Sequence, residues 1–136
     1  MEYLSRKIIK TNIYPNKILQ FGGGNFLRCF VNWMVQILNE ETNFNAGVII
    51  VKPTKPGDYK KLKLQDGLFT TVLEGIKNGN LVEEKRLIDC VQDIVNPYLE
   101  WEKYLNIAKR EDLRFVISNT TEAGIKFNSK DKLLFD

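Results

Sequence analysis

The sequence predicts an α/β fold: a parallel sheet with helices on both faces, carrying an inserted β-hairpin and incomplete at its C-terminus. Three observations predict it. Apolar strand-like runs alternate with stretches of helical periodicity. The run Val48-Ile49-Ile50-Val51 is unbroken and β-branched, as in a strand covered on both faces. The turn formers Lys77-Asn78-Gly79-Asn80 break the alternation with an Asn-Gly hairpin signal.

Residues 1–17 are mixed and polar, and Pro15 with Asn16 reads as a turn before the first core element. The first strand is the short run Lys17 to Phe21, stopped by Gly22, Gly23 and Gly24. From Asn25 to about Glu40 the residues Phe26, Phe30, Trp33, Met34, Ile37 and Leu38 recur at three- and four-residue intervals. That spacing predicts a helix with one broad apolar face. Val48 to Val51 is the second strand, and Pro53 ends it. Strand, turn, helix and strand make a βαβ unit, the crossover that two parallel strands require.

Residues 53–64, with Lys55, Lys60, Lys61 and Lys63, read as a charged surface loop. Leu68 to Glu74 and about Leu81 to Val91 are the two arms of the hairpin. Asn96 and Pro97 suit the cap and first position of a helix carrying Tyr98, Trp101, Leu105 and Ala108 on one face. Leu113 to Ser118 reads as another buried strand. After Gly124 the pattern fades, and the chain stops at Asp136 with no completed element. The expectation is one truncated domain, 1–136, whose unpaired sheet edges favour self-association or partial disorder at the C-terminus.

Composition narrows the function classes. Hydrophobic residues at 43% and charged residues at 27% supply a real core, which excludes a disordered tail. No run approaches the roughly 20 apolar residues that span a bilayer. The start MEYLSRKIIK has no apolar stretch of the signal-peptide kind. A cytoplasmic protein is expected. The net charge of +3 is mild and spread along the chain, so no nucleic-acid partner is expected. Histidine is absent, which excludes a Ser-His-Asp triad and any histidine-based metal site within this chain. Cys29 and Cys90 make neither a disulfide scaffold nor a metal cluster, and Cys29, inside an apolar helical run, reads as a buried thiol.

The chemistry concentrates at Phe21 to Arg28 (FGGGNFLR), where a strand hands over to a helix. Amides at a helix start carry partial positive charge and bind phosphate when the backbone is bare. Gly22 permits the tight turn, Gly23 extends it, and Gly24 lets a diphosphate approach beside Asn25 and Phe26. The third glycine of the dinucleotide pattern is replaced by Leu27, which changes how the helix packs on the strand. A glycine loop that merely turns a corner is the alternative. Arg28 can hold a phosphate or a substrate carboxylate, or be an ordinary surface arginine. At the end of the second strand, where NAD sites place an acid for the ribose, stands Lys52; spacing leaves NAD and NADP open. Asn119, Thr120 and Glu122 follow the last strand, where open α/β sheets bind ligands; they can bond a ribose or amide, or cap a turn.

Three segments in the right order resemble the polyol-specific long-chain dehydrogenases, the family of mannitol dehydrogenase. They are Phe21 to Phe30 (FGGGNFLRCF), Gln65 to Thr71 (QDGLFTT) and Phe115 to Gly124 (FVISNTTEAG). The phrases Val31-Asn32-Trp33, Leu38-Asn39-Glu40 and Val51-Lys52-Pro53 are similar to the hexuronate branch of that family. The resemblance covers about residues 13 to 128. It implies a Rossmann domain that binds NAD, and hydride transfer interconverting D-tagaturonate and D-altronate in hexuronate breakdown. It implies that Gly22, Gly24, Asn25, Phe26 and Arg28 form the coenzyme loop and that Asn119, Thr120 and Glu122 form its later segment. It also implies an acid/base lysine, with asparagine and histidine, in a helical C-terminal domain. No residue here matches that motif, so no catalytic or metal role is carried over, and the chain by itself is expected to be inactive.

Three other readings compete: a non-catalytic nucleotide-binding module, another sugar-acid or polyol dehydrogenase of the same family, and a subunit completed by a second chain.

Overall fold

The computed structural model describes residues 3–120, 124–125 and 128–130. Its main sheet contains β1 (Asn16–Phe21) and β2 (Gly47–Val51). A hairpin of β3 (Phe69–Lys77) and β4 (Asn80–Ile88) follows, and the chain then returns to the sheet as β5 (Val91–Val95) and β6 (Phe115–Ser118). Among the described residues three α-helices accompany them: α1 (Trp33–Glu41), entered through a π-helical turn Leu27–Asn32, α2 (Lys60–Leu64) and α3 (Trp101–Ile107). The sheet order is β5-β2-β1-β6, with every neighbour parallel. Counted along the sheet strands alone, that is the 3-2-1-4 order of a doubly wound sheet. The winding reverses between β1 and β6.

Alternation along the strands builds two cores. Ile18, Val48, Ile50, Val91 and Ile94 face one way and pack with Val35 of α1 and Leu62 of α2. Leu19, Ile49, Val51 and Val95 face the other way, against Ile107 of α3. The expected architecture, helices on both faces with an inserted hairpin, is what forms. A two-stranded hairpin is marginal in water by itself. This one is anchored at its base, where Phe69, Thr71 and Ile88 are buried, and Arg86 bridges to Glu40 of α1.

Several expectations are corrected. The returning hairpin strand does not run to Val91: it stops at Ile88, and Val91–Val95 forms a separate parallel strand. Gln36 of α1 causes the break, since its Oε1 accepts the amides of Asp89 and Cys90, both at 3.0 Å. Residues 53–64 are not all loop. Lys60–Leu64 is helical and buries Leu62, while Lys60, Lys61 and Lys63 face solvent. The regular helix after Asn96 starts only at Trp101. Asn96 instead caps a turn, its Oδ1 accepting from the Tyr98 amide at 3.1 Å.

The first helix buries a different face from the one its periodicity suggests. Phe26, Phe30, Met34 and Leu38 are exposed, whereas Leu27, Asn32, Val35 and Gln36 are buried. The π turn is the reason: its i→i+5 bonding rotates the register that a uniform 3.6-residue period assumes. Cys29, on the outward side, is exposed and not buried; Cys90 is buried, and burial pushes its thiol pKa upward. β6 pairs with β1, and no second partner strand lies among the described residues, so Phe115 and Val116 are exposed and not covered as expected.

The polar segment around Ser5 and Arg6 is tied down. The Arg6 guanidinium donates to the carbonyls of Asn12, Asp66, Asp89 and Val91 at 2.7–3.1 Å. The Ser5 hydroxyl and the Arg6 amide both donate to the Asp66 carboxylate, at 2.9 and 3.0 Å, and hold its pKa below the usual aspartate value. A depressed carboxyl pKa contributes stability above the unfolded-state value and loses it as pH falls through the folded-state one. Unfolding stability should therefore drop below about pH 4. Ser5→Ala should flatten that drop in urea titrations at pH 3 and pH 6, and an unchanged slope would remove Asp66 as its cause.

Candidate functional site

The reversal between β1 and β6 opens a crevice at the carboxyl ends of both strands, where open α/β sheets bind ligands. A cleft of about 320 Å³ lies there. Phe21 and Gly22 to Gly24 leave β1 to form one side; Ser118, Asn119 and Thr120 leave β6 to form the other. Phe26, Leu27, Pro53 and Tyr59 complete it. Of the residues singled out from sequence, Gly22, Gly23, Gly24, Phe26, Asn119 and Thr120 therefore meet in one place.

The three glycines do different work. Gly22 has φ +108°, a conformation that side chains resist, and a Cβ there would sit 3.1 Å from Leu27 Cδ1. Leu27 thus fills the space over the first glycine, and the π turn gives it room. Gly22 donates to Val51 O at 2.9 Å, which locks the turn to β2. Gly23 is buried beneath the Tyr59 ring and donates its amide to the Tyr59 hydroxyl at 2.8 Å. At Gly24 a Cβ would meet nothing within 4 Å. The amides of Gly24, Asn25 and Phe26 donate to no group among the described residues. These are the orphan donors of a helix start, and they flank the cleft.

The outlying residues sort differently. Asn25 accepts from Arg28 Nη2 through its side-chain oxygen at 2.7 Å. That guanidinium lies 5.6 Å over the Phe69 ring, and its buried Nε has no partner among the described residues. Arg28 lines a neighbouring cleft with Gly23, Asp58 and Lys61 and does not line the glycine cleft. Lys52 is not brought to the glycine cleft either. Its ammonium donates to the carbonyls of Thr54, Lys55 (2.7 Å) and Pro56 (3.0 Å), and the residue is 5% exposed. Glu122 lies outside the described residues.

Sequence reasoning missed three residues at this site. Tyr59 sat inside what looked like a charged loop, and only the fold carries it to Gly23. Gln20 and Asn32 are both fully buried. A polar residue inside an otherwise apolar strand was the available signal for Gln20.

The residues present fit a coenzyme diphosphate. Three amides without an acceptor among the described residues lie at the helix opening, and Gly24, which carries the first of them, is the glycine of this turn with open space around it. No helix among the described residues is long and apolar enough to cross a membrane.

Comparison with known proteins agrees with this geometry. The family described as "Mannitol dehydrogenase Rossmann domain" matches residues 16–135. The altronate oxidoreductase of Enterobacter sp. (strain 638) is 44% identical over 133 residues, covering 97% of this chain and 28% of that protein. The altronate oxidoreductase of Cronobacter sakazakii is 43% identical over the same shares. The chain thus spans little more than a quarter of the length of these relatives. Among solved structures, substrate-free D-sorbitol dehydrogenase superposes with a TM-score of 0.68 at 27% identity, over 87% of this chain and 24% of the other. Pseudomonas fluorescens mannitol 2-dehydrogenase, in its complex with NAD and D-mannitol, gives 0.63 at 18% identity over 78% and 22%, a likeness of fold.

Proposed function

The chain belongs to the mannitol dehydrogenase family as a Rossmann domain, and on that premise we propose that it is the NAD-binding part of an altronate oxidoreductase. The observation that carries this reading is the cleft at the β1–β6 reversal, with the undonated amides of Gly24, Asn25 and Phe26 beside it. Those amides would hold the diphosphate, and Asn119 and Thr120 would bond the ribose or amide further along. The coenzyme supplies a hydride acceptor or donor when bound. The chain's own residues would fix its position, and Phe21 and Phe26 give the cleft an apolar wall.

NAD is favoured over NADP because the cation at the ribose position is already engaged. Three carbonyls surround the Lys52 ammonium, so it is not free for a 2′-phosphate. The substrate pair of this reading is D-altronate and D-tagaturonate. The group that takes the hydroxyl proton, and most substrate contacts, lie outside these 136 residues in this proposal.

Calorimetric titration of this chain with NADH and NADPH tests it. NADH should bind with one site and NADPH more weakly, and adding tagaturonate to the NADH complex should give no turnover. Absence of binding by either nucleotide would end the reading. Turnover by the chain alone would move the proton-handling group inside it.

The same proposal includes self-association through β6. Its second edge has no partner strand among the described residues, and Phe115 and Val116 beside it are exposed. Sedimentation should show a mass that rises with concentration, and a single monomer boundary at all concentrations would refute it.

A further inference from the structure

Gln20 lies in the middle of β1 with no exposed surface, at a position where a doubly covered strand ordinarily places an aliphatic residue. Its amide is fully directed. Nε2 donates to Gly22 O at 2.8 Å, and Oε1 accepts from Asn32 Nδ2 at 2.6 Å. Because the Gln20 amino group faces the carbonyl of the turn, its oxygen must face Asn32, so the order Asn32 to Gln20 to Gly22 has one sense only.

Asn32 closes the π turn. At 3.6 residues per turn, Leu27 and Asn32 would point about 140° apart. In the π turn, i and i+5 come round to one face. Leu27 thereby lies over Gly22 while Asn32 reaches Gln20, and both are buried. Asn32 is anchored from behind as well. Its carbonyl accepts from the Cys90 thiol at 3.4 Å, and Gln36, one turn on, holds the amides of Asp89 and Cys90.

We propose that the buried Gln20–Asn32 amide bridge is a positioning device for the coenzyme turn: it holds the Gly22 carbonyl back and the π turn down, so that the amides of Gly24, Asn25 and Phe26 stay fixed beside the cleft. The inference rests on the coenzyme reading above. Neither side chain lines the cleft; both act through the backbone that does. Such a site works only when its donors are held closely in place.

The test separates positioning from packing. Gln20→Met leaves the Asn32 amide buried without an acceptor, so stability should fall. The double variant Gln20→Met/Asn32→Leu removes the orphaned Asn32 amide at similar volume and leaves only the Gly22 carbonyl without its donor, so its melting temperature should recover most of the loss. NADH affinity should not recover: its Kd should stay about tenfold above that of the unaltered chain. Hydrogen exchange at the Gly23 amide, which is bonded to Tyr59, should also stay faster in the double variant. A double variant with normal melting, normal Gly23 exchange and normal NADH affinity would overturn the proposal. If the unaltered chain bound no NADH, the coenzyme reading would fail instead, and Gly23 exchange would still decide whether the bridge holds the turn.

Discussion

Gly24→Asp should weaken NADH binding about a hundredfold or more while leaving the fold intact or slightly more stable. The two halves of that result have separate causes. Gly24 does not occupy a left-handed conformation, and a Cβ there meets nothing within 4 Å, so the protein itself does not demand glycine. Asp is also a favourable residue at a helix opening, where it accepts from free amides and opposes the macrodipole. Those same amides are the ones assigned to the diphosphate. An aspartate would occupy them and place a negative charge against the ligand. Two unit charges near 4 Å at an effective dielectric constant of 20 repel by about 4 kcal/mol. Solvent at this exposed position reduces that, and about 3 kcal/mol, or a hundredfold or more in Kd, is the expected loss. Calorimetry with NADH reads the affinity, and circular dichroism melting reads the fold. Normal affinity in this variant would place the diphosphate elsewhere.

The largest loss of stability should come from Gly67→Ala. Gly67 has φ +78°, and a Cβ there would lie 2.6 Å from Val91 O and 3.1 Å from Val91 Cγ1. The contact is with backbone at the first residue of β5, which cannot swing aside. A left-handed alanine costs about 1–2 kcal/mol, and overpacking about 1–3 kcal/mol more, so about 2–5 kcal/mol should be lost. Gly79, at the hairpin tip, has the same φ of +78° with nothing within 4 Å. Gly79→Ala should therefore show the conformational cost alone. Urea unfolding of both variants, at unchanged m, measures the difference between them. Equal losses would show that β5 yields to the methyl group.

Gly67 also explains part of what was legible in the sequence. The segment Gln65 to Thr71 was singled out by resemblance, and its glycine proves to be where the chain passes against β5. Locally determined features were readable: β1, β2, the glycine turn, the Asn78-Gly79 hairpin and a strand near Leu113 to Ser118. Each depends on the periodicity or conformational needs of a few consecutive residues. Half-readable features mixed local and distant causes. Val91–Val95 has strand composition, but its separation from β4 depends on Gln36, more than fifty residues earlier in the chain. Asn96 gave a cap signal, and it caps a turn because the helix proper begins beyond it.

Lys52 shows the same limit within the site. It stands directly after β2, as expected, and spacing left NAD and NADP open there. Burial and the curl of residues 54–56 gave its charge three carbonyls. No rule of spacing anticipates this, because the competing acceptors are backbone atoms whose placement follows from the loop's own path.

By itself the sequence determined the α/β class, the position of the bare amides and the family motifs that surround them, since these are written in neighbouring residues. Tertiary structure decided which face of the first helix is buried, which glycine amide is taken by Tyr59, and that Gln20 joins Asn32 behind the turn. The physical reason is that burial and hydrogen-bond choice are settled by whichever groups the folded chain brings within reach, and in this molecule those groups come from distant stretches of the chain.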